Sequence, residues 1–141
     1  MSTCQIHSLI VDCVALRAGK VLLLKYKDPE KYDGETGWFL PDDSMKHFEH
    51  PEIGAKRVLK EQVGLTPPGV TLSFIESFKG DDESWHLAFH YKTELDKNQD
   101  VKPSQDIGAA EWFELDNLPD HSQFAHHGWG LSTLREIMRR G

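Results

Sequence analysis

Cysteine is scarce in this chain. Cys4 and Cys13 are the only two, and they lack metal-ligand spacing, which argues against a disulfide-stapled scaffold or a cysteine-rich zinc module. Both are expected to be reduced structural thiols. No apolar run approaches the roughly 20 residues that a helix needs to cross a bilayer, and the first residues lack the basic-then-apolar order of a secretion signal. The expectation is a cytoplasmic protein with no membrane partner. Basic residues are outnumbered, 16 against 23 acidic, and the formal charge of −7 disfavours nonspecific binding to nucleic acid or to anionic lipid. Repeats, low-complexity tracts and linker-like stretches are also lacking. The 141 residues are therefore expected to form one domain, 1–141, with a sizeable core.

The patterns that are there come in order. Residues Ile6 to Leu16 are dominated by apolar types, Arg17 to Lys20 turn the chain, and Val21 to Leu24 return it, which reads as a β-hairpin. Lys27 to Gly37, with Asp28-Pro29 and Asp33-Gly34, reads as an irregular loop. Trp38-Phe39-Leu40 suits a short buried strand that Pro41 and the acidic Asp42-Asp43-Ser44 turn bring to an end. Pro51 suits a first helical position, Glu52 the positive end of the helix dipole, and Gly64 the residue just past the helix, so Pro51 to Val63 is predicted helical. Ala55, Leu59 and Val63, with Val58 beside them, form its apolar stripe, while Lys56 and Lys60 face water. Further strands are predicted at Val70 to Lys79, Trp85 to Leu95 and Ala109 to Leu115. Leu131, Leu134, Ile137 and Met138 stand at helical spacing in a last helix, Leu131 to Arg140.

The stretch from Asp43 to Leu65 resembles the box of the Nudix hydrolases, Gly-x5-Glu-x7-Arg-Glu-aliphatic-x-Glu-Glu-x-Gly-aliphatic. Glu49, Arg57, Leu59, Glu61, Gly64 and Leu65 match it. Asp43 stands on the opening glycine, Val58 on the first helical glutamate and Gln62 on the last. The resemblance implies an α/β fold, a Nudix-type α/β/α sandwich with a mixed β-sheet. It also implies hydrolysis of a nucleoside diphosphate linked to another group, dependent on magnesium or manganese. Metal ligands would be Glu61 and Glu49, and the catalytic residues Glu61 and Arg57. Because Val58 offers no oxygen and Gln62 only a neutral one, weak metal binding and weakened or altered turnover are expected. The alternative is a catalytically lost domain that binds a nucleotide or regulates.

Competing readings attach to each residue. In the family, Glu49 and Arg57 bind one another and brace the loop, and Glu61 stands four residues from Arg57, the spacing of an ordinary helix-surface ion pair. Asp42 and Asp43 either replace missing carboxylates or simply suit a turn. Glu76, Asp81, Asp82 and Glu83 read mainly as solvated charges, although some family members take a base or an extra ligand from that region. Tyr32, Trp38 and Trp129 are candidate base-stacking rings. His121, His126 and His127 lack the spacing of a zinc site.

Overall fold

Near-continuous apolar runs in the first half of the chain, buried on both faces, build the centre of a sheet that is covered on each side. The computed structural model describes residues 7–31, 34–80, 83–96 and 98–141. Strand β1, His7–Arg17, and strand β2, Lys20–Tyr26, form the expected hairpin, closed by Ala18 and Gly19 with φ of 50° and 79°. Two positive φ values in a two-residue turn match the right-handed twist of the strands they join. The next strand is short. Asp42–Ser44, expected only to end a strand, forms β3 and pairs antiparallel with β1, opposite Ile10, Val11 and Asp12. Trp38 and Phe39 make only isolated bridges, to Phe124 and Leu24. The pairing of β1 with β3 decides the outcome, since the N–H of Cys13 donates to the Pro41 carbonyl and the N–H of Met45 to that of Leu9.

Helix α1 spans Pro51–Val63, as its sequence signals predict. The His50 side chain accepts the Glu52 N–H at 3.1 Å. At the other end Gly64 is left-handed (φ 70°), and the Gly64 and Leu65 N–H groups donate to Lys60 and Leu59, which closes a Schellman-type cap. Strands β4, Thr71–Lys79, β5, Trp85–Glu94, and β6, Ile107–Glu114, complete the sheet. The order is β4-β5-β1-β2-β6 with β3 beside β1. Strands β1 and β5 run parallel and the other pairs antiparallel, so the sheet is mixed.

Helix α2, Ala125–Arg140, begins earlier than its apolar spacing predicts. Its first turn is not ordinary helix, because His126, His127 and Gly128 take φ values of 51°, 55° and 86°. Successive left-handed residues cannot be read from hydrophobic spacing.

The two helices cover opposite faces. On one side Val11, Cys13, Ala15, Leu22 and Leu24 pack with Ala55, Val58, Leu59 and Val63 of α1. On the other Val14, Val21, Leu23, Trp38 and Leu40 pack with Leu131, Leu134 and Ile137 of α2. The architecture is the expected α/β/α sandwich. Burial explains the Cys13 thiol, whose pKa is pushed far up in its apolar surroundings; Cys4 lies outside the described residues. Among the described residues no helix is long and apolar enough to cross a membrane. Leu59 is fully buried between α1 and the sheet, so Leu59→Ala is expected to cost about 2–5 kcal/mol, read as a lowered midpoint in chemical denaturation with an unchanged slope.

Candidate functional site

The loop from β3 to α1 is held by one side chain. Arg57 donates Nε to Glu49 Oε2 at 2.8 Å and Nη2 to Glu49 Oε1 at 3.1 Å, the two-pronged geometry that suits a guanidinium and a carboxylate. Its Nη1 reaches Asp43 Oδ2 at 2.9 Å and Glu61 Oε2 at 3.3 Å, and Nη2 also reaches the Ser44 carbonyl at 3.0 Å. These contacts use every N–H that a guanidinium has. The close approach needs Gly54, because a Cβ there would lie 2.9 Å from Glu49 Oε1. Glu49 also accepts the Lys46 N–H at 3.1 Å. Its pKa is held below the usual carboxylate range, first by the hydrogen bonds from Arg57, with burial opposing. The Arg57 guanidinium is held correspondingly more firmly charged by Glu49, against the cost of its burial.

The structure brings Glu49, Arg57 and Glu61 together as an ion-pair cluster. Glu61 is half exposed, with Oε2 on Arg57 and Oε1 3.4 Å from Lys46 Nζ. Val58 has no exposed surface and belongs to the core under α1. Gln62 donates Nε2 to the Asp42 carbonyl at 2.8 Å, and its Oε1 is buried with no hydrogen-bond partner. Both aspartates make contacts within the protein: Asp43 places Oδ1 on the Ser44 N–H and Oδ2 on Arg57, while Asp42 Oδ1 accepts from the Tyr26 hydroxyl at 3.0 Å.

Magnesium, which the resemblance implies, takes near-octahedral oxygen donors with carboxylates among them. The residues here do not fit that requirement. Position 58 offers no oxygen, position 62 one neutral oxygen, and the carboxylates of Glu49 and Glu61 face Arg57 and Lys46. Among the described residues no set of three or more His, Cys, Asp or Glu side chains is placed to hold a metal ion.

A second polar cluster lies on the α2 face of the sheet. His90 of β5 contacts Asp12 of β1 through Nδ1 at 2.6 Å and Glu76 of β4 through Nε2 at 3.0 Å. The Asp12 and His90 side chains have no exposed surface, whereas Glu76 is about one-third exposed at 35%. The His90 ring lies between Phe74 and Trp129, at centroid distances of 4.4 and 5.6 Å. Burial alone lowers the pKa of His90, but its bonds to Asp12 and Glu76 outweigh burial and raise it to about 9. Burial raises the carboxyl of Asp12, with His90 opposing, and its Oδ1 has no partner. Sequence reading missed this group. Its signals were Asp12 within an apolar run and His90 between Phe89 and Tyr91, and neither residue shows from its neighbours that it meets the other.

The remaining candidates separate. Trp38 is 8% exposed, edge-on to Phe113 at 4.9 Å with Lys25 over its face, so it offers no stacking surface. Trp129 is half-buried against His90. Tyr32, Asp81 and Asp82 lie outside the described residues. Glu83 pairs with Lys79 at 3.3 Å. The three histidines do not converge: the His121 ring packs on Gly128, His126 approaches Glu35 at 3.6 Å, and His127 is exposed.

A mixed sheet between two helices, with a strand–loop–helix unit locked by an arginine and a glutamate, defines the class of α/β/α sandwich to which the box points. Residues 7–132 match the model of the NUDIX domain, and the chain belongs to that family. An RNA pyrophosphohydrolase of Zymomonas mobilis is 25% identical over 138 residues, covering 78% of this chain and 86% of that protein. Among solved structures, the NUDIX domain of Shewanella oneidensis NrtR complexed with ADP ribose superposes with a TM-score of 0.76 at 20% identity, over 99% of this chain and 90% of that one. A MutT NUDIX hydrolase of Burkholderia pseudomallei gives 0.74 at 20% identity, over 95% and 98%.

Two expectations follow from this geometry. The Arg57 and Glu49 side chains are only 11% and 8% exposed, so Arg57→Met strands a buried carboxylate and is expected to cost about 3–5 kcal/mol, visible as a lowered melting temperature that Glu49→Gln in the same chain partly restores. The second concerns pH. His90 has a folded pKa of about 9 against an ordinary 6.5, so its contribution is complete below pH 6.5 and lost as pH rises through about 9. The raised Asp12 pushes stability the same way. The urea midpoint is expected to fall across that window in the wild type and to change much less in His90→Gln; equal slopes would remove the buried imidazolium from the explanation.

Proposed function

We propose that this chain is a nucleotide-binding domain of Nudix type, that its ligand is a nucleoside diphosphate linked to a second group, and that binding rather than hydrolysis is its main function. The observation that carries the reading is Val58, which has no exposed surface and stands where the box has its first helical glutamate. With Gln62 also neutral, a single carboxylate, Glu61, is left where the family has three. Divalent cations are then bound weakly. Arg57 serves to hold the loop on the helix, its donors being used within the protein, and Glu49 is its partner in that role. The ligand class takes support from the relatives, one named for RNA pyrophosphate hydrolysis and one solved with ADP ribose.

A second reading, a hydrolase with altered chemistry, is favoured by the intact Arg57–Glu49 brace, because a chain with no use for the loop's geometry has no need of it. Glu61 would then be the acidic residue at the reacting centre.

One screen separates the two. ADP-ribose, dinucleotides and nucleotide sugars are incubated with the protein and magnesium or manganese, and products and melting temperature are read together. The binding reading expects a rise in melting temperature without products, a ligand at a hundred times its dissociation constant adding about 2.7 kcal/mol to the folded state. Steady turnover that chelation abolishes would replace it with the hydrolase. Calorimetric titration of magnesium alone is expected to show no low-micromolar site.

A further inference from the structure

A groove runs beside the box loop, between the start of β1 and the entrance to α1, and its walls include His7, Leu9, Met45, Lys46, His47 and Phe48. Its chemistry is unlike the rest of a chain with formal charge −7. An ammonium and two imidazoles face it, and the one carboxylate on its wall, Glu49, is bound to Arg57 and to the Lys46 N–H. Among the described residues Lys46 Nζ pairs with Glu61 at 3.4 Å, a contact between exposed side chains that an incoming phosphate can compete for, and the Lys46 side chain is 64% exposed.

Phe48 is the odd residue of the loop. It is 96% exposed, and its backbone has φ of 64°, a left-handed conformation that is unfavourable for a residue other than glycine. The strain gains no burial for the ring. Among the described residues its ring contact is His47, edge-on at a centroid distance of 4.0 Å, and Leu9 across the groove is also exposed, at 37%.

We propose that this groove is where a phosphate-bearing, ring-containing ligand docks, its phosphates against Lys46 and the imidazoles and its ring on Phe48 and Leu9, with no divalent cation between ligand and protein. The site rests on the nucleotide-binding reading given above and says where and how that ligand is held. The Lys46 ammonium supplies the positive charge on the groove wall, and the imidazoles supply ring nitrogens for hydrogen bonds. The loop that carries Lys46 and Phe48 is fixed by Arg57 through Asp43, Ser44 and Glu49, so the docking surface exists before the ligand arrives and little ordering cost falls on binding.

Calorimetry in excess chelator tests this, with ADP-ribose, ADP and inorganic pyrophosphate as probes and with Phe48→Ser and Lys46→Gln as variants. Both side chains are exposed, and equal melting temperatures confirm that the variants fold. Wild type is expected to bind ADP-ribose without metal. Phe48→Ser should weaken ADP and ADP-ribose about tenfold, the scale of one lost stacking contact, and leave pyrophosphate unchanged. Lys46→Gln should weaken all three and reduce their dependence on salt. Nucleotide binding that appears only with magnesium, or that both variants leave intact, overturns the groove while the nucleotide-binding reading stands. If no nucleotide binds with or without metal, both fall together.

Discussion

The guanidinium of Arg57 is the constraint on which the box depends. One planar cation binds Glu49 with two prongs, takes Asp43 and Glu61, and holds the Ser44 carbonyl. The loop therefore enters α1 along a fixed path, and Pro51, the His50 cap and the Gly64 terminus do the rest locally. A lysine could not replace it, because an ammonium has three donors and no fork. With Lys46 beside it, Arg57 also offsets much of the charge that Asp43, Glu49 and Glu61 collect in one place.

The opposite face of the sheet carries a second electrostatic problem and solves it differently. Asp12, His90 and Glu76 sit on three neighbouring strands, and each ring nitrogen of the imidazole has a carboxylate against it. A buried carboxylate alone would be far too costly to keep ionised, so the proton on His90 and the charge on Asp12 stand or fall together. Register makes the contact: Asp12 is opposite His90 in the parallel pair, and Phe74 is opposite His90 in the antiparallel one. This cluster ties β1, β5 and β4 to one another and to Trp129 of α2.

What the sequence disclosed follows from the range of the forces involved. Helix α1 was legible to the residue because caps and apolar spacing are local signals, whereas the layers of the sandwich were legible through the resemblance of Asp43 to Leu65 to the Nudix box. Asp42–Ser44 was not, since its strand exists only through pairing with Ile10, Val11 and Asp12 of β1, far earlier in the chain. The left-handed turn at His126 and His127 leaves no compositional mark, as neither residue is a glycine. Most instructive is Val58. Spacing placed it both on the apolar stripe and on the face that the box reserves for carboxylates, and the structure settles the competition in favour of the core.

That outcome constrains function beyond a count of missing ligands. A position with no exposed surface, packed among aliphatic side chains, is not waiting for a carboxylate; an unpaired charge there would cost several kcal/mol before any cation arrived. The interior under α1 has been filled with hydrocarbon, and that filling stabilises the helix against the sheet. Catalysis needs groups that interact more strongly with a transition state than with the bound ground state, and under the binding function proposed above a saturated arginine, a buried valine and an amide tied to a backbone carbonyl are not such groups. The proposed docking on a rigid loop, the Lys46 ammonium and the exposed Phe48 ring needs these groups to meet only the ground state of a ligand. Of the box, Glu49 and Arg57, which shape the loop, are retained together with Glu61, while a buried valine and an amide bound to a backbone carbonyl take the two other carboxylate positions of its helix.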